Sequence, residues 1–122
     1  MANKKILIIE DDEATRILLG EILKENGYAV VEASCGEEGI KKAVQEKPDL
    51  VVLDTVMPVM DGIETCRRIK HVEKVPAKVI MYTAKIDAID AVRAREFGAD
   101  DYCIKGQNPE FLLKAIKDIL VK

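Results

Sequence analysis

Four short apolar runs in this chain each end abruptly in a polar residue. Ile6-Leu7-Ile8-Ile9 leads into Glu10-Asp11-Asp12, and Leu50-Val51-Val52-Leu53 into Asp54. Val79-Ile80-Met81-Tyr82 leads into Thr83, and Tyr102-Cys103-Ile104 into Lys105. Consecutive apolar residues without polar alternation suit strands covered on both faces, the usual state of a parallel sheet. In open parallel α/β sheets, ligands bind outside the carboxyl ends of the strands. The pattern therefore brings several carboxylates, one hydroxyl and one ammonium to the binding edge. Such a set can hold a hard divalent cation and a phosphoryl group at one point.

Helical patterns fill the intervals. Residues 13–25 carry Ile17, Leu18, Ile22 and Leu23 at helical spacing and stop at Asn26-Gly27. Residues 37–46 place Ile40, Ala43 and Val44 on one face before Lys47-Pro48 breaks the helix. A third helix is predicted over 61–71 with Asp61 as N-cap, and a fourth over 86–97, stopped by Gly98. Pro109 suits the first turn of a last helix bearing Phe111, Leu112, Ala115, Ile116, Ile119 and Leu120. Strands over 5–9, 28–33, 49–54, 78–83 and 101–104 complete five βα units. Right-handed crossovers leave few topologies. The expected fold is α/β: a flavodoxin-like, doubly wound, five-stranded parallel sheet of order 2-1-3-4-5 with helices on both faces. Its switch point, between the first and third strands, places Glu10-Asp11-Asp12 beside Asp54.

Composition narrows the function. The 122 residues fit one domain over 1–122, and 48% hydrophobic with 34% charged residues reads as globular rather than disordered. A net charge of -3 gives no basic footprint, so direct nucleic-acid binding is not expected. No apolar run approaches membrane-spanning length and the N-terminus does not read as a signal peptide, so the expectation is cytoplasmic. Cys35, Cys66 and Cys103 lack C-x-x-C spacing and read as reduced thiols; with His71 the only histidine, zinc is not expected. No glycine-rich phosphate loop follows the first run, which argues against a mononucleotide site.

Asp54 ends a central apolar strand, where a carboxylate is costly unless paired or metal-bound. Converging carboxylates raise one another's pKa unless a cation neutralises them. Mg²⁺ suits, because it takes oxygen ligands and keeps waters and phosphate oxygens in its shell. Simpler roles are open to each residue alone. Asp12 or Glu13 suits a helix N-cap. Thr83 suits a strand-end hydroxyl bonded to backbone, and Tyr102 a half-buried strand aromatic.

Glu10-Asp11-Asp12 after the first strand, the segment Asp54-Thr55-Val56-Met57-Pro58-Val59-Met60-Asp61-Gly62, Thr83-Ala84 and Lys105 together resemble the CheY-like receiver domain of two-component response regulators. The resemblance covers essentially the whole chain. It implies that Asp54 takes a phosphoryl group from a phosphohistidine on a sensor histidine kinase or phosphotransfer protein. It implies Mg²⁺ held directly by Asp11 and through water by Glu10, with Asp12 as the alternative one residue out of register. Asp54 and the backbone carbonyl of Val56 would complete the shell. Thr83 and Lys105 would contact phosphoryl oxygens, and Tyr102 matches the aromatic switch position. Output would pass to a downstream protein or a separate output domain through the predicted helix 86–97, the last strand and the last helix. Such a chain is a switch rather than an enzyme, with slow self-catalysed gain and loss of phosphate.

Two departures from the family pattern stand out. Gly106 follows the lysine where the family usually has proline, and a cis bond is far less favourable without proline. Thr55 and Val56 place no amide or carboxylate side chain beside Asp54 to orient a hydrolytic water. Two rivals remain: a degenerate receiver that binds partners without phosphorylation, and an aspartyl-nucleophile phosphatase of the haloacid dehalogenase-like kind. The second family has another Asp two residues after its nucleophile, where this chain has Val56.

Overall fold

Side chains alternate across a strand, so a run buried on both sides feeds two cores. That is the plan of this molecule, a computed structural model that describes residues 3–54, 60–83, 92, 95, 96, 98–105 and 108–121. The elements are β1 (Lys5–Ile9), α1 (Glu13–Glu25), β2 (Ala29–Ala33), α2 (Gly36–Glu46), β3 (Leu50–Leu53), α3 (Gly62–Arg67), β4 (Lys78–Thr83), β5 (Asp101–Ile104) and α4 (Pro109–Leu120). The strands form one parallel sheet in the order β2-β1-β3-β4-β5, as the alternating pattern predicts.

Leu7, Ile9, Val51, Leu53, Val79 and Met81 point to one face and pack with Ala43 of α2 and Ile63 and Cys66 of α3. Ile6, Ile8, Leu50, Val52 and Ile80 point to the other, against Leu19 and Leu23 of α1 and Leu112 and Ile116 of α4. A Cβ at Gly39 would lie 2.3 Å from Ile9 Cδ1. Glycine there lets α2 close tightly over the end of β1, from which the acidic loop departs.

The helix ends follow local chemistry. The Asp12 carboxylate accepts from Thr15 N at the start of α1, Asp61 from Glu64 N at the start of α3, and Asn108 from Glu110 N beside Pro109 at the start of α4. Gly27, at φ +90, follows α1 as the Asn26-Gly27 signal predicts. The helix predicted over 61–71 differs from what forms: α3 gives way at Arg68 to a π-helical turn, Arg68–Val72. The wider turn accompanies complete burial of Ile69. It also accompanies a long-range tie: Lys70 Nζ donates to Ala77 O at 2.8 Å and pairs with Asp100 at 3.0 Å. Within the predicted helix 86–97, residues 92, 95 and 96 are helical and Gly98 follows at φ +103; the rest lies outside the described residues. Among the described residues no helix is long and apolar enough to cross a membrane.

Candidate functional site

Glu10 directly follows β1 and Asp54 directly follows β3, and Ile9 stands opposite Leu53 in the parallel register. Two carboxylates therefore leave neighbouring central strands at one level. Both are buried, Glu10 at 3% exposure and Asp54 at 6%. Lys105 follows β5, two strands away from β3, and its side chain crosses the end of β4. Its ammonium forms a hydrogen-bonded ion pair with Glu10 Oε1 and lies 3.4 Å from Asp54 Oδ2. On the way it passes 5.9 Å from the centre of the Tyr82 ring, within cation–π range. Thr83, buried at the end of β4, accepts through its carbonyl from Lys105 N at 2.6 Å. The lysine is thus tied by its main chain as well as its charge.

Burial pushes the Glu10 carboxyl up to about 7; the hydrogen bond from Lys105 opposes the rise, while hydrogen bonding with Asp54 and its charge add to it. Burial pulls the Lys105 ammonium down, but Glu10 and Asp54 outweigh it, and its pKa is raised overall. Burial thus favours a protonated Glu10, while the two carboxylates beside Lys105 favour its charged ammonium.

The donor set fits a hard divalent cation. Glu10, Asp11 and Asp54 each offer a carboxylate oxygen, all within 4.8 Å of one another. Among the described residues three carboxylates meet one ammonium there, and oxygen-only donors are those Mg²⁺ takes. Glu10 and Asp54 are buried and Asp11 is exposed, so the group opens to solvent on the Asp11 side, as an ion that keeps its waters requires.

Asp12 stands apart from these three. Its carboxylate accepts from Thr15 N at 2.9 Å and from the Thr15 hydroxyl, and those bonds hold it below the usual carboxylate range. Its own N–H donates to Glu10 Oε2 at 3.3 Å. Tyr102 is half-buried and packs against the α2–α3 core, beside Met81 in the register. Val56 and Gly106 lie outside the described residues.

Two residues near the site are not singled out by the sequence reading. Tyr82 looks like one more strand aromatic, and only the path of Lys105 across it gives it a role. Arg16 contacts the acidic loop from α1. The available signal was its place: a cation in the first turn of a helix opposes the macrodipole and calls for anionic or carbonyl partners.

Residues 6–117 match the model of the response regulator receiver domain. The chain belongs to that family. It is 45% identical over 118 residues to the alkaline phosphatase synthesis transcriptional regulatory protein PhoP of Bacillus subtilis, covering 97% of this chain and 49% of the relative. It is 42% identical over 115 residues to the transcriptional regulatory protein AfsQ1 of Streptomyces coelicolor, covering 94% and 50%. A solved two-component response regulator from Clostridium difficile superposes with a TM-score of 0.92 at 31% identity, covering 98% of each chain. The chain spans about half the length of the curated relatives it matches. As a receiver domain it is a signalling module of a two-component system, and the phosphoacceptor role fits the buried acidic site. The phosphatase and phosphorylation-independent alternatives are not favoured.

Proposed function

We propose that Asp54 is the phosphoryl acceptor, supplied by a phosphohistidine on a sensor histidine kinase or phosphotransfer protein. The observation that carries this is the Lys105 ammonium held between the buried carboxylates of Glu10 and Asp54. A cation already aimed at Asp54 can follow charge that builds on phosphoryl oxygens there.

In the transfer, an Asp54 oxygen attacks phosphorus in line, the P–N bond to imidazole breaks, and its electron pair stays with the imidazole. The reaction needs positioning and charge neutralisation more than covalent machinery. Asp54 is positioned by its own main chain: Asp54 N donates to Ile9 O at 3.0 Å, locking the end of β3 to β1. Lys105 pairs with one phosphoryl oxygen, and the Thr83 hydroxyl donates to another. Glu10, Asp11, Asp54 and the carbonyl of Val56 would hold Mg²⁺, which when bound neutralises charge on the carboxylates and phosphoryl oxygens. Self-catalysed gain and loss of phosphate would be slow, and for the hydrolytic loss Thr55 and Val56 offer no amide or carboxylate side chain to orient water.

Thr83 and Lys105 drawn toward the phosphoryl group would bias Tyr102 and the face formed by 86–97, β5 and α4. That face would meet a downstream target or an output domain. Two relatives named as transcriptional regulators, each about twice as long, support an output that acts on DNA through a domain other than this one. The setting would be cytoplasmic.

The test is intact mass after incubation with acetyl phosphate and Mg²⁺. Wild type is expected to gain one phosphoryl group and Asp54→Asn none. Equal gain by both would move the acceptor elsewhere.

A further inference from the structure

Resting on the metal reading above, we propose that Arg16 is a positioning residue for the Mg²⁺ ligands, acting through the main chain of Glu10 rather than by touching the ion. Arg16 Nη1 donates to the carbonyl oxygen of Glu10 at 2.9 Å. That carbonyl belongs to the peptide joining Glu10, buried in the site, to Asp11, exposed at its mouth. On the opposite side of Glu10, its N–H donates to Ala33 O at 3.1 Å. Both peptide groups of Glu10 are therefore pinned, one by β2 and one by α1. The direction in which the Asp11 side chain leaves the chain follows from the plane that Arg16 holds.

Arg16 is itself held for this task. Its Nε lies 3.3 Å from Glu32 Oε1, and its side chain is only 16% exposed. A guanidinium carries several N–H donors in a rigid fork, so one group can serve a carbonyl and a carboxylate together. Its position makes a purely local explanation poor. Arg16 N donates to Asp12 O, closing the first turn of α1, where positive charge opposes the helix dipole. A largely buried cation at that end is tolerated because Glu32 and the Glu10 carbonyl compensate it. Glu32 stands opposite Ile8 in the register and is anchored in turn: Lys42 of α2 donates to its carbonyl. The acidic loop is thus braced by a relay from α2 through β2 to α1.

The experiment measures Mg²⁺ affinity by calorimetry, thermal stability in EDTA, and the ¹³C carbonyl shift of Glu10. It compares wild type, Arg16→Met, Glu32→Gln and Leu23→Ala. Leu23 is buried against the sheet in the last turns of α1, at the opposite end of the helix from the acidic loop. Arg16→Met keeps the aliphatic stem and removes the donors. It is expected to lose about tenfold in Mg²⁺ affinity, the lower end for an outer-shell partner of metal ligands. The Glu10 carbonyl resonance should move with it, and Glu32→Gln should shift both in the same direction by less. Leu23→Ala should lose more thermal stability and keep the wild-type affinity and carbonyl shift. The proposal fails if Arg16→Met binds Mg²⁺ as wild type does, or if Leu23→Ala loses as much affinity. A wild type that binds no Mg²⁺ overturns the metal reading; the Glu10 carbonyl shift then still decides whether Arg16 holds that peptide.

Discussion

Glu10 and Asp54 leave β1 and β3, central strands in which residues 6–9 and 50–53 are 0–1% exposed. Lys105 leaves β5, an edge strand whose four residues are all only half-buried and which pairs with β4 alone. The acidic half of the site is thus built into the best-packed part of the molecule, with each carboxylate following a strand hydrogen-bonded on both sides. The basic half is hung on a strand restrained from one side. Stability within a fold is not uniform, and segments with fewer buried contacts rearrange at lower cost. The contrast suits the switch proposed above: the proposed acceptor and metal ligands would stay put, and the lysine proposed to read the phosphoryl charge would come from the part that can shift.

The sharpest way to break this comparison is to remove one group from each half. Asp54→Asn should abolish phosphorylation outright, by intact mass. Lys105→Ala should still accept some phosphoryl group but lose the accompanying spectral change in β5. If Lys105→Ala were as inert as Asp54→Asn, the two halves would not be separable.

Packing gives the next largest effect. Leu53 is fully buried beside Asp54, and Leu53→Ala should destabilise by about 2–5 kcal/mol in urea unfolding. Phe111, 62% exposed on α4, should change stability by no more than about 0.5 kcal/mol on replacement by alanine. Comparable losses at both positions would deny that the end of β3 beside Asp54 is tightly packed.

The acidic half should also titrate. Glu10 is raised by burial from 4.5 to about 7, so the folded state binds more protons than the unfolded one between those values. Stability therefore falls as pH rises through that window in EDTA, by at most about 3.4 kcal/mol for such a shift. Mg²⁺ should bind more tightly over the same rise, because it competes with the proton. Urea midpoints against pH check this, and Glu10→Gln should flatten the slope. A slope of opposite sign, or one unchanged in Glu10→Gln, would remove Glu10 as its source.

The smallest effect separates the neighbouring acids. Asp12→Ala should cost about 1 kcal/mol through the lost cap on α1. It should weaken Mg²⁺ binding less than Asp11→Ala does. The reverse order in calorimetry would shift the ligand register by one residue.

Much of this was legible in the sequence because it rests on local rules. Four apolar runs ending in acids, Thr83 and Lys105 give the sheet and its binding edge. Asp12, Asp61 and Pro109 mark helix starts by their own chemistry. Less legible features depend on partners far away in the chain. Nothing in residues 61–71 announces a π-helical turn, since Lys70 reaches Ala77 and Asp100 only in the folded molecule. The choice between Asp11 and Asp12 is similar. Both are acids in one loop, and the use of Asp12 as a cap for Thr15 is what separates them. Arg16 reads as one more charge on an amphipathic helix until Glu10 and Glu32 are brought beside it.

The most direct test of the central claim is the backbone NMR spectrum with Mg²⁺, before and after beryllofluoride is added as a phosphoryl mimic. The account predicts large shifts for Thr83 and for residues 101–105, with residues 6–8 and 30–32 close to their starting positions. It also predicts that Lys105→Ala loses the response of β5 while Asp54 remains occupied. Equal shifts in β1 and β5, or shifts confined to the surroundings of Asp54, would contradict it.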